Sequence, residues 1–306
     1  MSDTDVVDFE AVRARFPGAA ESTYMNTAAR GLLMRESRAA IDVMLDARMH
    51  EGGDKPMMFE AVESARSRFA QLINAGSEEV AITKNVSEGL NAIIAAIEWR
   101  AGDNAVLCLD LEHPNNVYPW RHAARRFGVD LRVVTAVDGI MPVGEMIDAI
   151  DDNTRAVTLS SVTFAPGFRT DIAAIGQVCR EHDALLLVDG VQSVGVLKTD
   201  VAADYIDAMA VSTQKGLLGL YGMGFLYCRN EWAERLTPAY LARFGVDLGD
   251  GAHEAALGGD DWRLMPGARR FDLGNYNFMA AAAVNPPLEL MLDIGPDKVE
   301  ARVVSL

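Results

Sequence analysis

The sequence predicts an α/β fold with a mainly parallel sheet flanked by helices. Six short segments are almost continuously apolar, as strands covered on both faces are. They are "AVLCLD" (105–110), "LRVVTA" (131–136), "RAVTLSSV" (155–162), "ALLLVD" (184–189), "AMAVS" (208–212) and "GFLYCR" (224–229). Helical patterns lie between several of them, at 115–127, 143–150 and 171–182. Strands that alternate with helices in this way are typical of three layers around a parallel sheet.

Helical patterns also stand before and after this alternating region. Residues 35–49 and 57–73 have the periodicity of amphipathic helices, and "SEEVAITKNVSEGLNAIIAAIEW" (77–99) reads as strand, turn and helix. The segment "NYNFMAAAAVNPPLELMLDIG" (275–295) begins as a helix. Because proline lacks the amide hydrogen that a helix interior needs, Pro286 and Pro287 are expected to break or kink it.

Composition excludes several classes of function. The chain of 306 residues is 50% hydrophobic and carries a net charge of -16, which argues against general nucleic-acid binding because phosphate contacts need clustered Lys and Arg. It has no apolar run of the roughly 18 residues that a membrane span needs and no leader-like apolar region at its acidic N-terminus. Cys108, Cys179 and Cys228 are scattered in apolar runs, as buried reduced thiols are. We therefore expect a cytoplasmic protein.

Two polar residues follow apolar strands at places where parallel-sheet enzymes bind ligands. Asp189 ends the segment "ALLLVD", and Lys215 follows "AMAVS" in a loop rich in glycine. An isolated aspartate at a strand end is often a helix cap, and an isolated lysine is usually a solvated surface residue. A lysine partly removed from water by such a loop can instead have a lowered pKa and attack a carbonyl. The combined spacing D-x-x-Q-x-x-G followed by S-x-x-K-G-x-x-G favours the second interpretation.

With these motifs the chain resembles the pyridoxal-phosphate (PLP) enzymes of the class V aminotransferase and cysteine desulfurase-like family, which have fold type I. The resemblance implies that Lys215 forms the aldimine with the cofactor and that Asp189 pairs with its pyridinium nitrogen. It also implies that Gln192 hydrogen-bonds the phenolic oxygen of the cofactor. His113, in "LEHPNNVYPW" (111–120), matches the histidine that stacks on the cofactor ring.

Further matches to the family imply the contacts of the phosphate and of the substrate. The turn "TKNVSEGLNAII" (83–94) resembles the family's phosphate-binding turn at a helix N-terminus, although by itself it also fits an ordinary capped helix. The "RRFDLGNYN" segment (269–277) resembles the one that reaches the partner's phosphate across a dimer interface, which implies a homodimer with shared active sites. The phosphate contacts implied in this way are Val86, Ser87, Ser212, Gln214 and Asn275. The substrate contacts implied by "YMNTAARGLL" (24–33) are Ala28, Ala29 and Arg30, the last of which equally fits a surface residue.

The resemblance also sets the expected domain organisation. It spans residues 24–290, and we expect an N-terminal segment at 1–30, a large PLP-binding domain at 31–290 and the start of a C-terminal domain at 291–306. The family's small C-terminal domain is largely missing from the sequence, and "GPDKVEARVVSL" (295–306) stops where another helix begins. That domain normally carries an arginine for the substrate carboxylate and, in desulfurases, a mobile catalytic cysteine.

The expected activity is PLP-dependent chemistry on an amino acid or amine, by transamination or by C–S or β-elimination. An amino-acid epimerase of the same family and a catalytically silent PLP-fold binding protein are the alternatives. The sequence argues against a nucleotide-dependent dehydrogenase, because no G-x-G-x-x-G motif follows the early strands. No metal site is predicted, since the five histidines lack ligand spacing.

Overall fold

A seven-stranded sheet forms the centre of the protein in a computed structural model, which describes residues 7–249, 251–253 and 255–306. The strands are β1 (Val80–Thr83), β2 (Asn104–Leu107), β3 (Asp130–Val133), β4 (Thr154–Ser160), β5 (Leu185–Asp189), β6 (Ala208–Ser212) and β7 (Gly224–Cys228). Their order in the sheet is β1-β7-β6-β5-β4-β2-β3. Strand β7 is antiparallel to both of its neighbours, and the other pairs are parallel. The prediction of a mainly parallel sheet is therefore confirmed.

Helices cover both faces of this sheet. They are α1 (Phe9–Ala14), α2 (Pro17–Glu21), α3 (Arg35–Glu51), α4 (Lys55–Leu72), α5 (Val86–Ala96), α6 (Pro114–Phe127), α7 (Val143–Asp148), α8 (Ile172–Glu181), α9 (Asn230–Arg235), α10 (Phe278–Ile294) and α11 (Pro296–Val304). A short hairpin of β8 (Val246–Asp247) and β9 (Arg263–Leu264) lies outside the main sheet. In the part of the chain that is described, no helix has the length and apolar character needed to cross a bilayer.

The core has two halves, one on each face of the sheet. Along β5, Leu186 and Val188 belong to a cluster with α4, α8 and α10, whereas Leu185 and Leu187 belong to a second cluster with α5 and α6. Successive side chains of a strand point to opposite faces, so a strand in the middle of three layers must be apolar at every position. This explains why the central segments read as continuous apolar runs.

The two prolines of α10 do not end that helix, so of the two predicted outcomes, a break or a kink, the break is wrong. The helix runs from Phe278 to Ile294 through Pro286 and Pro287. It packs against α3 and α4, with Val284 and Leu288 fully buried on the two sides of the prolines. The burial of this apolar helix between two others offsets the cost of the missing amide hydrogens.

Candidate functional site

The carboxyl ends of the parallel strands β4, β5 and β6 meet at one edge of the sheet, and Asp189 lies there. The register pairs it with Ser160 on β4 and Ala210 on β6, and it is only 2% exposed. Its Oδ1 accepts a hydrogen bond from Val191 N at 3.0 Å. No donor among the described residues reaches Oδ2, so a buried carboxylate is left with one oxygen for a ligand.

Lys215 lies in the loop after β6, on the same edge of the sheet. When the Gln192 amide is oriented with its oxygen toward this lysine, the oxygen accepts from Lys215 Nζ at 3.0 Å. The Gln192 nitrogen then donates to Ala28 O at 3.2 Å. Three residues that are distant in the sequence are thus joined through one amide.

Close backbone packing holds the lysine loop in place. Gly31 N donates to Gln214 O at 2.8 Å, which ties the N-terminal segment to this loop. A Cβ on Gly31 would lie 2.6 Å from Lys215 O, and one on Gly216 would lie 2.5 Å from Val194 O. No side chain fits at such distances, so glycine is required at both positions.

Burial changes the ionisation of both groups. Burial lowers the pKa of Lys215, and the nearby charge of Asp189 opposes that change in part. Burial, and then the negative charge of Glu112, raise the pKa of Asp189 to about 7, against the Val191 N–H and Lys215. The site therefore holds an amine that loses its proton more easily than usual and an acid that keeps its proton more strongly than usual.

His113 precedes α6 and lies beside this pair. Its Nδ1 accepts a hydrogen bond from Asn115 N at 3.1 Å, so the histidine caps the helix. The Phe164 ring packs edge to face on the imidazole, with ring centroids 4.9 Å apart. Burial and the positive charge of Lys215 lower the pKa of His113, which favours the neutral ring at pH 7.

The predicted phosphate turn lies next to the end of β6. Asn85 caps α5 by accepting from Glu88 N at 3.0 Å, and Ser87 lies in the first turn, where amides have no acceptor within the helix. Val86 N donates to Ser212 Oγ at 2.7 Å. The Val86 amide is therefore already bonded in this structure, whereas the sequence predicted that it would contact the phosphate.

Several predicted residues lie away from this group. Asn275 is exposed, has a φ of 44°, and lines a cavity of about 280 Å³ together with Thr83 and Lys84. Ala29 and Arg30 are exposed in the N-terminal loop, where the Arg30 carbonyl accepts from Tyr24 Oη at 2.6 Å. No hydrogen bond or ion pair among the described residues joins any of the three to Lys215, although Gly31, next to Arg30, packs against the lysine loop.

The structure adds residues that the motifs did not single out. Glu112 is buried, and its Oε1 accepts from Ser160 N at 2.7 Å. Ser161 N donates to Asp189 O at 3.1 Å, and Ser161 Oγ lies 2.5 Å from Ser193 Oγ. An acid directly before His113 and after a buried strand was the available signal for Glu112. Within the described ranges, no group of His, Cys, Asp or Glu is arranged to hold a metal ion.

Comparison with known proteins gives matches along most of the chain. The family model described as aminotransferase class-V matches residues 47–306. A probable cysteine desulfurase of Methanothermobacter thermautotrophicus is 33% identical over 240 residues, which are 78% of this chain and 58% of that protein. The uncharacterized aminotransferase YcbU of Bacillus subtilis is 30% identical over 298 residues, 97% of this chain and 76% of that protein. The chain thus spans about three fifths of the length of the desulfurase and about three quarters of that of YcbU.

Solved structures of the protein C-DES resemble the fold of this chain. A C-DES variant with glycine covalently linked to the PLP cofactor has a TM-score of 0.84 and 25% identity, covering 96% of this chain and 76% of C-DES. A complex of the same protein, a cystine C–S lyase, with its product cysteine persulfide has a TM-score of 0.83 and 25% identity. This second match covers 95% of this chain and 76% of C-DES.

Proposed function

Because this chain belongs to the class-V aminotransferase family, we propose that it is a pyridoxal-phosphate-dependent enzyme that acts on an amino acid or amine. The observation that carries the proposal is the pairing at the sheet edge. Lys215 Nζ donates to the reoriented Gln192 amide, and the negative charge of buried Asp189 raises the pKa of this lysine against the effect of burial. Within the described chain, Asp189 Oδ2 receives no hydrogen bond. An amine and an acid in one site match the two ends of the cofactor, its aldehyde and its ring nitrogen.

The residues of the site fit this cofactor. Asp189 would hold the ring nitrogen, Lys215 the aldehyde carbon and Gln192 the phenolic oxygen, and His113 would cover the ring. Ser87, Ser212 and Gln214 would hold the phosphate at the start of α5, where the first amides of a helix favour an anion. When bound, the cofactor supplies a ring that accepts electrons from the substrate Cα. Lys215, with its lowered pKa, is the group that moves the Cα proton.

The cysteines narrow the C–S chemistry that this chain can perform. Cys108, Cys179 and Cys228 are free and buried, and burial raises the pKa of all three thiols, that of Cys108 to about 11. A buried thiol with a raised pKa is a poor nucleophile. If the reaction cleaves a C–S bond, none of these three residues is therefore expected to accept the sulfur. Transamination is the second outcome that the family allows.

A product screen tests the proposal. The purified protein is loaded with PLP and incubated with single amino acids, cystine included, while keto acid, sulfide or persulfide, and racemised substrate are measured. We expect keto acid, with sulfur release from cystine, and its loss in Lys215→Ala. Lys198→Ala is the matched control, because Lys198 forms an exposed ion pair with Asp297 at 2.9 Å. Racemised product alone would identify an epimerase, and bound PLP without any turnover a silent binding protein.

The proposal includes a homodimer in which Asn275 serves the partner's site. The exposure of Asn275 at the surface of its own chain supports this arrangement. Hybrid dimers of Lys215→Ala and Asn275→Asp chains test it, because a carboxylate beside the phosphate should repel it. If Asn275 acts across the interface, mixing two inactive variants restores activity, since one site of each hybrid is intact. If Asn275 acts within its own chain, mixing restores nothing.

We also place the protein in the cytoplasm. Three free, buried cysteines are usual in a reducing compartment, where disulfides do not persist. Cell fractionation with antibody detection tests this placement, and recovery of the protein outside the cytoplasm would contradict it.

A further inference from the structure

Glu112 is a buried acid without a cationic partner in the described part of the chain. It is 7% exposed, and no salt bridge among the described residues joins it to Lys or Arg. Its Oε1 accepts from Ser160 N at 2.7 Å, and its Oε2 accepts from Ser160 Oγ at 2.6 Å and from Asn116 Nδ2 at 2.8 Å. Burying an acid without a cation costs several kcal/mol unless hydrogen bonds replace the lost water. The three hydrogen bonds replace part of that water, but burial still raises the pKa of Glu112, so its charge is held by polar groups alone.

The bonds of Glu112 place it against the strand end that carries the site. Ser160 is the last residue of β4 and pairs with Asp189 in the β4 to β5 register. The next residue, Ser161, donates to Asp189 O at 3.1 Å. Glu112 is therefore bonded to Ser160, which is the register partner of Asp189 on the neighbouring strand, and the negative charge of Glu112 raises the pKa of Asp189.

The two carboxylates differ in the number of hydrogen bonds that they accept. Glu112 has three donors, whereas the carboxylate of Asp189 has one, Val191 N. When two buried acids are close, one keeps its proton, and the acid with fewer donors does so more strongly. The other titratable groups near them are Lys215, whose charge acts on Asp189, His113, whose lowered pKa favours the neutral ring, and Cys108, whose pKa of about 11 keeps it neutral beside Glu112.

Glu112 also holds the backbone around His113 in place. His113 is the next residue in the chain and caps α6, and Asn116 in the first turn of that helix donates to Glu112. A second bond of Asn116 Nδ2, to Thr158 Oγ1 at 3.2 Å, ties the same turn to β4. The start of α6 is thus bound to the strand next to Asp189.

We propose that Glu112 is a positioning residue that holds His113 over the site and keeps Asp189 protonated until a cation binds beside it. In the empty site the negative charge stays on Glu112 and the proton on Asp189. A cation at Asp189 Oδ2 would then offset the repulsion, and Asp189 would release its proton to solvent, so that both acids are ionised. The inference rests on the proposed function only for the identity of that cation, which is the protonated ring nitrogen of PLP.

The ionisation of Asp189 can be measured without the cofactor. In the full chain stripped of PLP and labelled with ¹³C at the aspartate carboxyl carbons, the resonance that Asp189→Asn removes is titrated by NMR. Glu112→Gln keeps the size and the acceptor for Ser160 N but removes the charge. We expect the pKa of Asp189 to fall by about one pH unit in this variant, a tenfold change in its ionisation constant.

Asp207→Asn is the matched control, because Asp207 is an equally buried acid, 1% exposed, that directly precedes β6 and so lies at the amino ends of the parallel strands, away from Asp189. It should leave the pKa of Asp189 unchanged. An unchanged pKa in Glu112→Gln would overturn the charge role of Glu112. Because PLP is absent from this titration, failure of the protein to bind PLP in the product screen is a separate result.

The positioning role has a readout of its own. The Phe164 ring shifts the His113 imidazole resonances because it lies edge to face at 4.9 Å. Glu112→Ala should abolish that shift, and Glu112→Gln should retain it. Ser160→Ala, which removes one of the three bonds, is the milder variant should Glu112→Ala not fold, and it should reduce the shift. A shift that persists in every variant would contradict the positioning role.

Discussion

Two buried aspartates at opposite ends of neighbouring strands differ in the hydrogen bonds and charges that the protein places around their carboxylates. Asp207 precedes β6, and its Oδ2 accepts from Leu186 N at 2.9 Å, while Oδ1 forms an ion pair with Arg229 Nη2 at 2.9 Å. Asp189 ends β5 with one backbone donor to its carboxylate and an acid, Glu112, as a neighbour. Burial raises the pKa of both, but arginines oppose the change at Asp207.

This difference separates a structural acid from one that is prepared for a ligand. The contacts of Asp207 join two strands and the start of α9, and an arginine of the protein itself balances its charge. At Asp189 the protein leaves an oxygen open and adds a like charge, which costs stability in the empty state. Sites kept unfavourable in this way are typical of functional residues.

The largest expected difference between the two aspartates is in the effect of their substitution on enzyme turnover. Asp189→Asn should lower the turnover of the PLP-loaded enzyme about 10²- to 10³-fold, since a charge that stabilises the reacting state is lost. Asp207→Asn should leave turnover within about twofold but lower the free energy of unfolding by about 1–3 kcal/mol, because Arg229 loses its partner. Steady-state kinetics and urea unfolding of both variants check this. Similar losses of activity in the two would remove the distinction.

The pH dependence of stability is the next expected effect. A raised folded pKa means that the stabilising contribution of Asp189 is full below its unfolded pKa of about 3.8 and is lost as pH rises through about 7. Without PLP, the free energy of unfolding of the natural chain relative to Asp189→Asn should therefore fall by up to about 4 kcal/mol between pH 4 and 8. Urea unfolding at a series of pH values measures it. A difference that does not change with pH would show that Asp189 titrates normally.

The smallest effect concerns the contact between Lys215 and Gln192. Gln192→Ala removes the acceptor of Lys215 Nζ and the donor to Ala28 O, and each hydrogen bond contributes about 1 kcal/mol. We expect a loss of kcat/KM of about tenfold, with PLP still bound. Gln177→Ala, on the exposed face of α8, is the control and should have no effect. No change in Gln192→Ala would mean that this bond does not position the lysine.

The sequence could predict the sheet because local pattern determines it, and it drew attention to Asp189 and Lys215, whose roles in the site remain predictions. The apolar runs at the centre of the sheet are continuous since β5 is covered on both faces, and the aspartate and lysine are found from their spacing. The same local argument failed at Pro286 and Pro287, where packing between α3 and α4 outweighs helix propensity. The short β8 to β9 hairpin had no periodic signal.

Contacts between distant parts of the chain could not be predicted in this way. The bond of Gln192 to Ala28, the bond of Val86 N to Ser212 and the closeness of Glu112 to Asp189 join segments whose distance in the sequence carries no geometric information. The assignments of Ser87, Gln214 and Asn275 rest on family resemblance and remain predictions, as do the proposed domain boundaries.

The most direct test of the central claim is to find which residue holds the cofactor. The PLP-loaded chain is reduced with borohydride, digested and mapped by mass spectrometry. The account predicts a pyridoxyl group on the peptide that contains Lys215 and none on the peptides of Lys84 or Lys198. Attachment at another lysine, or no attachment at saturating PLP, would contradict it.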